Sequence, residues 1–591
     1  MSTKVIELTN VLAQEGPAGW VSNLWNTYNM ARADKVAQWV ELRNYIFATD
    51  TTTTSNNVLP WSNSTTIPKL CQIRDNLHSN YISALFPNDN WLSWNGYSVN
   101  DSTLKKARAI QTYMGNKCRE SHFRTTISKL LYDYIDYGNS FATTEFVAEY
   151  KKNSQGVDVP VYIGPRLVRI SPLDIVFHPA ADDFSQAPKV VRSVKTLGEI
   201  KKLAQTNPDQ FAWQDFLDKR EHIRAKVVTS DTNDFAKSCG YQADGFGDMR
   251  GYFLGDLVEI LEYYGDYHDP VTGVLSTNKV ITVADRNFVV REEDIPSYLL
   301  HAPIFHVGWR YRQDNLWAMG PLDNLVGMQY RIDHLENSKA DAMDLVVNPP
   351  IAIVGEVEEF VWGPGAEINV DEGGSVTTLS RDMQGVLTAN SEISALEARM
   401  ELYAGAPREA MGQRSPGEKT MFEVQQLATA AGRIFQEKTV NFEIELLEPS
   451  LNDMLETSVR NMDKSDVIRV MDDDLGVEVF TEITKADITA SGVLRPVGAR
   501  HFAQQSQDIQ TLMGFMNGPM LDIIKPHIDG KAVYKMVEDL SNMSSYRLFS
   551  DFAQVHEQQQ LAETTNQAQE NFAVNTSGPS IGAGNTQVAP Q

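Results

Sequence analysis

Between Gly320-Pro321 and Asn348-Pro349-Pro350 the sequence carries one unbroken helical period, and mixed strand and helix signals lie on both sides of it. Proline is favoured in the first turn of a helix, where its missing N–H has no bond to lose, and it disfavours the helical conformation of the residue before it. The segment is therefore predicted to open and close as a helix at these two sites. Leu322, Leu325, Val326, Gln329, Ile332, Leu335, Ala342, Met343 and Val346 mark its mostly apolar stripe, which is assigned to packing within the subunit or against a neighbour. Asp323, Asp333, Glu336, Asp341 and Asp344 make the remainder acidic, relieved only by Arg331 and Lys339. That acidic side is either a solvated face or the lining of a channel, with Asp333, Glu336 and Asp341 as the candidates for the lining.

Around this helix the chain reads as α+β. Upstream, helical spacing runs over 20–47, about 68–86 and about 102–138, the last ended by Tyr137-Gly138-Asn139. Strand patterns follow at 141–151 and 159–170, joined by the turn residues Asn153-Ser154-Gln155-Gly156. A proline-punctuated loop is predicted at 171–183, polar helix at 196–225 and an exposed loop at 229–251. Strands resume at 253–264 and 279–291, the latter split at Ala284-Asp285-Arg286-Asn287. Downstream, 349–379 carries strand and turn signals, 389–404 a shorter helix, and 419–460 a long helix that Pro449 is expected to kink or split. Strand signals at 466–495 precede a helical cluster at 498–550 and a Gln/Asn/Ser/Gly-rich tail poor in core residues. At 591 residues the chain exceeds one core, and about three or four folding units are expected.

Charge narrows the function. Lys and Arg total 52 against 77 Asp and Glu, a net charge of −25. A protein that grips DNA by neutralising phosphates is basic, at least locally, so a repressor, polymerase or nuclease is disfavoured, while a surface along which DNA slides is not. No apolar run approaches the ~20 residues of a membrane span, and the start MSTKVIELTN lacks the apolar core of a signal peptide, so synthesis in the cytosol is expected. Cys71, Cys118 and Cys239 are far apart and read as reduced structural residues.

Three chemical motifs come close and fail. Gly412-Gln413-Arg414-Ser415-Pro416-Gly417-Glu418-Lys419-Thr420 approaches a phosphate-binding loop, but that motif places lysine directly after its second glycine. Here Glu418 intervenes and puts a carboxylate where an anion should sit. The segment reads as a loop running into a helix, with Arg408, Arg414 and Lys419 as its basic group. These three either touch DNA phosphates transiently or are solvated charges beside a helix. His178 and the pair His268-Asp269 lack a second ligand at helical or hairpin spacing. No Ser/His/Asp set has recognisable context, so neither an enzyme nor a cofactor is expected. Phe360 and Trp362, beside the turn Gly363-Pro364-Gly365, suit an interface anchor or the core of a small domain.

The order of elements resembles the portal proteins of tailed bacteriophages, short-tailed phages in particular. The resemblance rests on GWRYRQDNLWAMGPLDNLVGMQYRIDHLENSKADAMDLVVNPP (308–350) and SPGEKTMFEVQQLATAAGRIFQEKTVNFEIELLEPSLNDML (415–455), and upstream on DYGNSF (136–141) and PRLVRISPLDIVFHP (165–179). It implies an N-terminal wing (1–319), a first stem helix (320–346), a clip (347–388) and a second stem helix (389–404). A tunnel loop (405–418), a long helix with the strands that complete the wing (419–497), a crown (498–552) and a tail that starts a barrel or is disordered (553–591) would follow. The function implied is a ring, dodecameric in the family, at one capsid vertex, through which the genome is packaged and ejected. Its partners would be further copies of itself, the major capsid and scaffold proteins, the terminase motor, a tail adaptor, and double-stranded DNA passing without sequence recognition. The location would be the virion, reached from the host cytoplasm during assembly. Another assembly subunit (tail-tube, internal core or scaffold) is the alternative, and an unrecognised hydrolase a more distant one.

Overall fold

Where the apolar period changes from 3.6 residues to 2, at Gly138, the chain changes from helices to strands. The computed structural model describes residues 16–47, 63, 65–87, 91–96, 101–206, 211–229, 249–269, 272–296, 298–299, 301–347, 349–355, 373–378, 384–404, 434–462, 465–471, 478–489 and 491–496. Before Gly138 lie α1 (Gly16–Ala31), α2 (Ala33–Phe47), α3 (Lys69–Leu85), β1 (Leu92–Gly96), α4 (Asp101–Glu120) and α5 (Phe123–Asp136). The sequence predicts one helix over 102–138; the chain instead breaks between α4 and α5. His122 takes a φ of 56° there, with neither glycine nor proline to announce it. Gly138 itself has φ +69°, and a Cβ on it would stand 2.3 Å from the Gly320 nitrogen, so both conformation and close approach require glycine.

After Gly138 come β2 (Asn139–Lys152), β3 (Asp158–Ile170), β4 (Ile175–Phe177), β5 (Lys189–Thr196), α6 (Leu197–Thr206), α7 (Trp213–Thr229) and α8 (Met249–Leu254). Then follow β6 (Leu257–His268), β7 (Leu275–Ala284), β8 (Phe288–Asp294), β9 (Ile304–Gly308), β10 (Arg310–Arg312) and β11 (Asn315–Met319). The β2–β3 turn forms as the sequence predicts: Asn153 Oδ1 accepts from the backbone N–H groups of Gln155 and Val157, and Gly156 has φ +78°. By contrast, β4 lies inside the predicted 171–183 loop, and β5 carries too few alternations to be seen in the sequence.

The order β4-β5-β6-β7-β8 makes an antiparallel five-stranded sheet. Alternation along β6 explains its two faces. Leu261 and Tyr263 pack with Val21 and Trp25 of α1, whereas Val258 and Ile260 pack with Ile200 of α6 and Trp213 and Phe216 of α7. The β7–β8 turn places Asp285 and Arg286 at φ 49° and 60°. Buried charge holds these unfavourable conformations: Arg286 donates twice to Glu259, at 2.6 and 2.9 Å, and Arg220 lies 3.1 Å from Asp285.

The second half contains α9 (Val326–Val347), entered through a 3-10 turn at Asp323–Leu325, then β12 (Ile351–Val354), β13 (Ser375–Thr378) and α10 (Gln384–Tyr403). Residues 434–442 are helical and continue through a π turn, Glu443–Leu447, into α11 (Glu448–Asn461). Of the kink or split expected at Pro449, the split does not occur. The wider π turn, which ends two residues before the proline, accommodates the ring and the missing N–H. Then come β14 (Ser465–Met471), β15 (Glu478–Thr484), α12 (Lys485–Ile488) and β16 (Gly492–Pro496).

β16 returns to pair antiparallel with β1, Trp94 opposite Leu494. A Cβ on Gly492 would stand 2.3 Å from the Trp94 ring, so glycine admits the indole. From α11, Asn452 donates to the Leu494 carbonyl at 3.0 Å and accepts from its N–H at 2.8 Å, acting as a further strand partner. The largest apolar core joins α3, α4 and α5 to the long helix, through Phe442, Leu446, Leu451 and Met454, and to Leu322, Ile332 and Met400. Residues 1–470 and 478–500 form one compact unit; of a second, 471–477 and 501–591, only Met471 is among the described residues. Among the described residues no helix is long and apolar enough to cross a membrane.

Candidate functional site

The helix pair α9 and α10, joined through β12 and β13, is the candidate. Its roots are fixed in the main core. Leu322, Leu325 and Ile332 are fully buried at the start of α9, and Met400 and Ala404 at the end of α10. Two ion pairs reinforce the roots: Lys35 with Asp323 at 2.6 Å, and the buried Lys69 with Glu401 at 2.7 Å. Between the helices Lys339 donates to Asn390 at 3.1 Å and Arg331 to Glu392 at 3.5 Å, consistent with the two helices lying side by side and antiparallel. β12 and β13 pair antiparallel, Ile351 opposite Thr378 and Val354 opposite Ser375.

Away from the roots the apolar stripe runs out of partners. Met343 and Val347 of α9 and Leu387 of α10 are exposed there, Val347 by 73% and Leu387 by 68%, and Tyr330, Leu402 and Tyr403 are exposed beside the roots themselves. Val354 on β12 is exposed as well. The expected stripe thus divides: Leu322, Leu325, Gln329 and Ile332 are buried in the protomer, whereas Met343 is not.

The acidic side of α9 departs further from expectation. Asp333 is fully buried and does not line a channel. Its Oδ1 accepts from the Ile67 N–H at 2.9 Å and from Gln329 Nε2 at 2.9 Å. One turn on, Asn337 accepts from the Thr65 N–H at 2.7 Å and donates back to the Thr65 carbonyl at 3.1 Å. A further turn on, Asp341 accepts from the Asn63 N–H at 2.7 Å and from its side-chain amide at 2.9 Å, and Asp344 takes the same amide at 2.8 Å. The periods coincide: two extended residues advance about 6.6 Å and four helical residues about 6.0 Å. Asn63, Thr65 and Ile67 are therefore each held by side chains four apart on α9, running antiparallel to it. Of the three channel candidates, Asp333 and Asp341 serve this ladder, and Glu336 forms an ion pair with Lys339 at 2.5 Å. The Asp/Asn spacing on α9 was the available signal, but its partner lies more than 260 residues upstream.

Burial pushes the Asp333 carboxyl up to about 6 from the ordinary 3.8. Its Oδ2 and the Gln329 Oε1 are both buried without a hydrogen-bond partner. His306 is also buried, stacked on Phe141 at 4.5 Å, and burial depresses its ring to about 3. His178 packs edge-on against Tyr28. Among the described residues no group of three or more His, Cys, Asp or Glu is placed to hold a metal ion.

Arg408, Arg414 and Lys419, the anchors Phe360 and Trp362, the loop 406–418, and the segments 498–552 and 553–591 lie outside the described residues. Comparison with family models gives no match to this chain, and none of the curated protein sequences is significantly similar to it.

Proposed function

We propose that this chain is the subunit of a portal ring, a homo-oligomeric channel for double-stranded DNA at a capsid vertex. The observation that supports it best is the antiparallel pair α9 and α10. It is rooted in the core, tipped by a two-stranded sheet, and bears exposed Val347 and Leu387 on its outer part and exposed Leu402 and Tyr403 beside its root. A two-stranded sheet is marginal by itself, and an apolar helix face left in water is unfavourable, so a neighbouring copy supplies the missing packing. In this reading the body made by β2–β9, closed by β1 with β16, is the wing, and β12 and β13 belong to the clip. Packaging motor and tail adaptor dock on the clip, with capsid and scaffold proteins around the wing.

The acidic balance fits the same reading. At −25 per chain, twelve copies carry about −300 charges, a surface that denies duplex DNA a deep binding minimum and makes ring closure depend on salt. The chain itself is not the motor in this proposal; the interrupted phosphate motif at 412–420 leaves ATP hydrolysis to a separate protein. Light scattering on the purified chain across a salt series tests the proposal. The expected result is a many-subunit mass that rises to a plateau with salt. A monomeric mass at every ionic strength would contradict it.

A further inference from the structure

A cleft of about 220 Å³ opens between α2, α3, α5 and β3, apart from the helix pair. Four cations line it, Arg43, Arg74, Lys129 and Arg169, against two carboxylates, Asp133 and Asp136. Both carboxylates are already engaged. Arg74 donates to the two oxygens of Asp136 at 2.6 and 2.8 Å, and Arg169 donates through Nε and Nη2 to the two oxygens of Asp133. Arg43 and Lys129, by contrast, have no carboxylate within 4 Å among the described residues, and both are exposed. The cleft therefore keeps two cations outside any ion pair, Arg43 acting on Asp136 only at longer range, in a chain whose net charge is −25.

Aromatic rings make up part of its walls. Phe47, half exposed, stands at the end of α2 with the Arg74 guanidinium 5.4 Å from its ring. On its other side Arg74 lies 4.1 Å over Tyr132, which is itself stacked on His78 at 3.8 Å. Tyr137 meets Trp39 edge-on at 5.2 Å. This aromatic packing and the bidentate bonds to Asp136 fix Arg74 in place, so the cleft is formed before any ligand arrives. Its volume is below the ~300–1,000 Å³ usual for drug-sized ligands, which limits the occupant to about one ring and its charged group.

We infer that this cleft binds a small organic anion, a carboxylate or phosphate monoester carried on a single aromatic ring or an apolar body of that size. The anionic group pairs with Arg43 and Lys129, and the body lies against Phe47. Neither the oligomeric state nor the proposed channel role enters this assignment.

Calorimetric titration of the full chain with phenyl phosphate and with benzoate tests it, the two probes distinguishing phosphate from carboxylate. Saturable binding of one equivalent per chain is expected for at least one probe. Two partly solvated charge contacts are lost in the double variant Arg43→Gln with Lys129→Gln, so it should bind about tenfold more weakly. Both residues are exposed, and an unchanged melting temperature confirms that the variant folds. Phe47→Ala should weaken the same probe, and phenol or inorganic phosphate alone should bind about tenfold less tightly than the preferred probe. Absence of saturable binding by both probes would overturn the assignment, as would undiminished binding by the double charge variant. Inorganic phosphate binding as tightly as phenyl phosphate would overturn the requirement for a ring.

Discussion

Asp333→Asn isolates the chemistry of the ladder on α9. Burial raises the Asp333 carboxyl from the ordinary 3.8 to about 6, so at pH 7.5 its ionised form is about 3 kcal/mol less favourable in the folded chain than in the unfolded one. For an acid raised on folding, the stabilisation is complete below about 4 and is lost as pH rises through about 6. Structure supplies the cause. Oδ1 is satisfied by Ile67 and Gln329, but Oδ2 is buried without a donor, and so is Gln329 Oε1 without one of its own. A buried Oδ2 without a donor favours the protonated, neutral carboxyl, and asparagine is neutral at every pH while its Oδ1 can still accept from Ile67 and Gln329. The variant should therefore be more stable than the wild type at pH 7.5, by up to about 3 kcal/mol, and the two should converge near pH 4. Urea unfolding of both proteins at half-unit steps from pH 4 to 8 measures this difference, in which all other titrations cancel. An asparagine variant equally destabilised at every pH would refute the reasoning, because Asp333 would then act as an ordinary carboxylate acceptor.

Glu401→Gln should lower stability by about 3–5 kcal/mol, since it leaves the buried Lys69 ammonium without its counter-charge; chemical denaturation checks it, and Lys69→Met with Glu401→Met should recover most of the loss. Gly138→Ala should destabilise by more than the ~1 kcal/mol of an ordinary glycine replacement, because its Cβ would meet the Gly320 backbone at 2.3 Å. A variant melting within a degree of the wild type would contradict that contact. On the proposed portal reading, Arg408→Ala with Arg414→Ala should leave the oligomeric mass unchanged while shortening the packaged genome in a motor-driven packaging assay, and neither the wild type nor Lys419→Ala should hydrolyse ATP.

What the sequence disclosed was local. The Gly138 helix end, the Asn153–Gly156 turn, the split at 284–287 and the Pro-Pro exit of α9 are each set by one or two residues whose backbone preferences are strong. Irregularities made without such residues stayed hidden: His122 enters the left-handed region unannounced, and the π turn at Glu443–Leu447 lets the helix run on past Pro449, which was expected to kink or split it. Contacts distant in sequence were hidden for a different reason. An aspartate that will bond the Ile67 N–H and one that will face water look alike at position 333, because the difference lies in a segment 266 residues away. The same distance conceals the β1–β16 pairing, although Gly492 beside Trp94 is its visible trace. The cleft at Arg43 and Lys129 assembles from α2, α3, α5 and β3 and likewise has no linear motif.

Negative-stain electron microscopy of the purified full chain, at an ionic strength high enough to screen its −25 charge, tests the channel proposal most directly. The account predicts end-on class averages of closed rings with a central hole and one repeated rotational order, twelve-fold by resemblance. It also predicts that Val347→Lys with Leu387→Lys, which places charge on the exposed apolar face of the helix pair, abolishes the rings and leaves folded single chains. Fields of isolated particles without a central hole for the wild-type chain, or rings that persist unchanged in the double lysine variant, would contradict it.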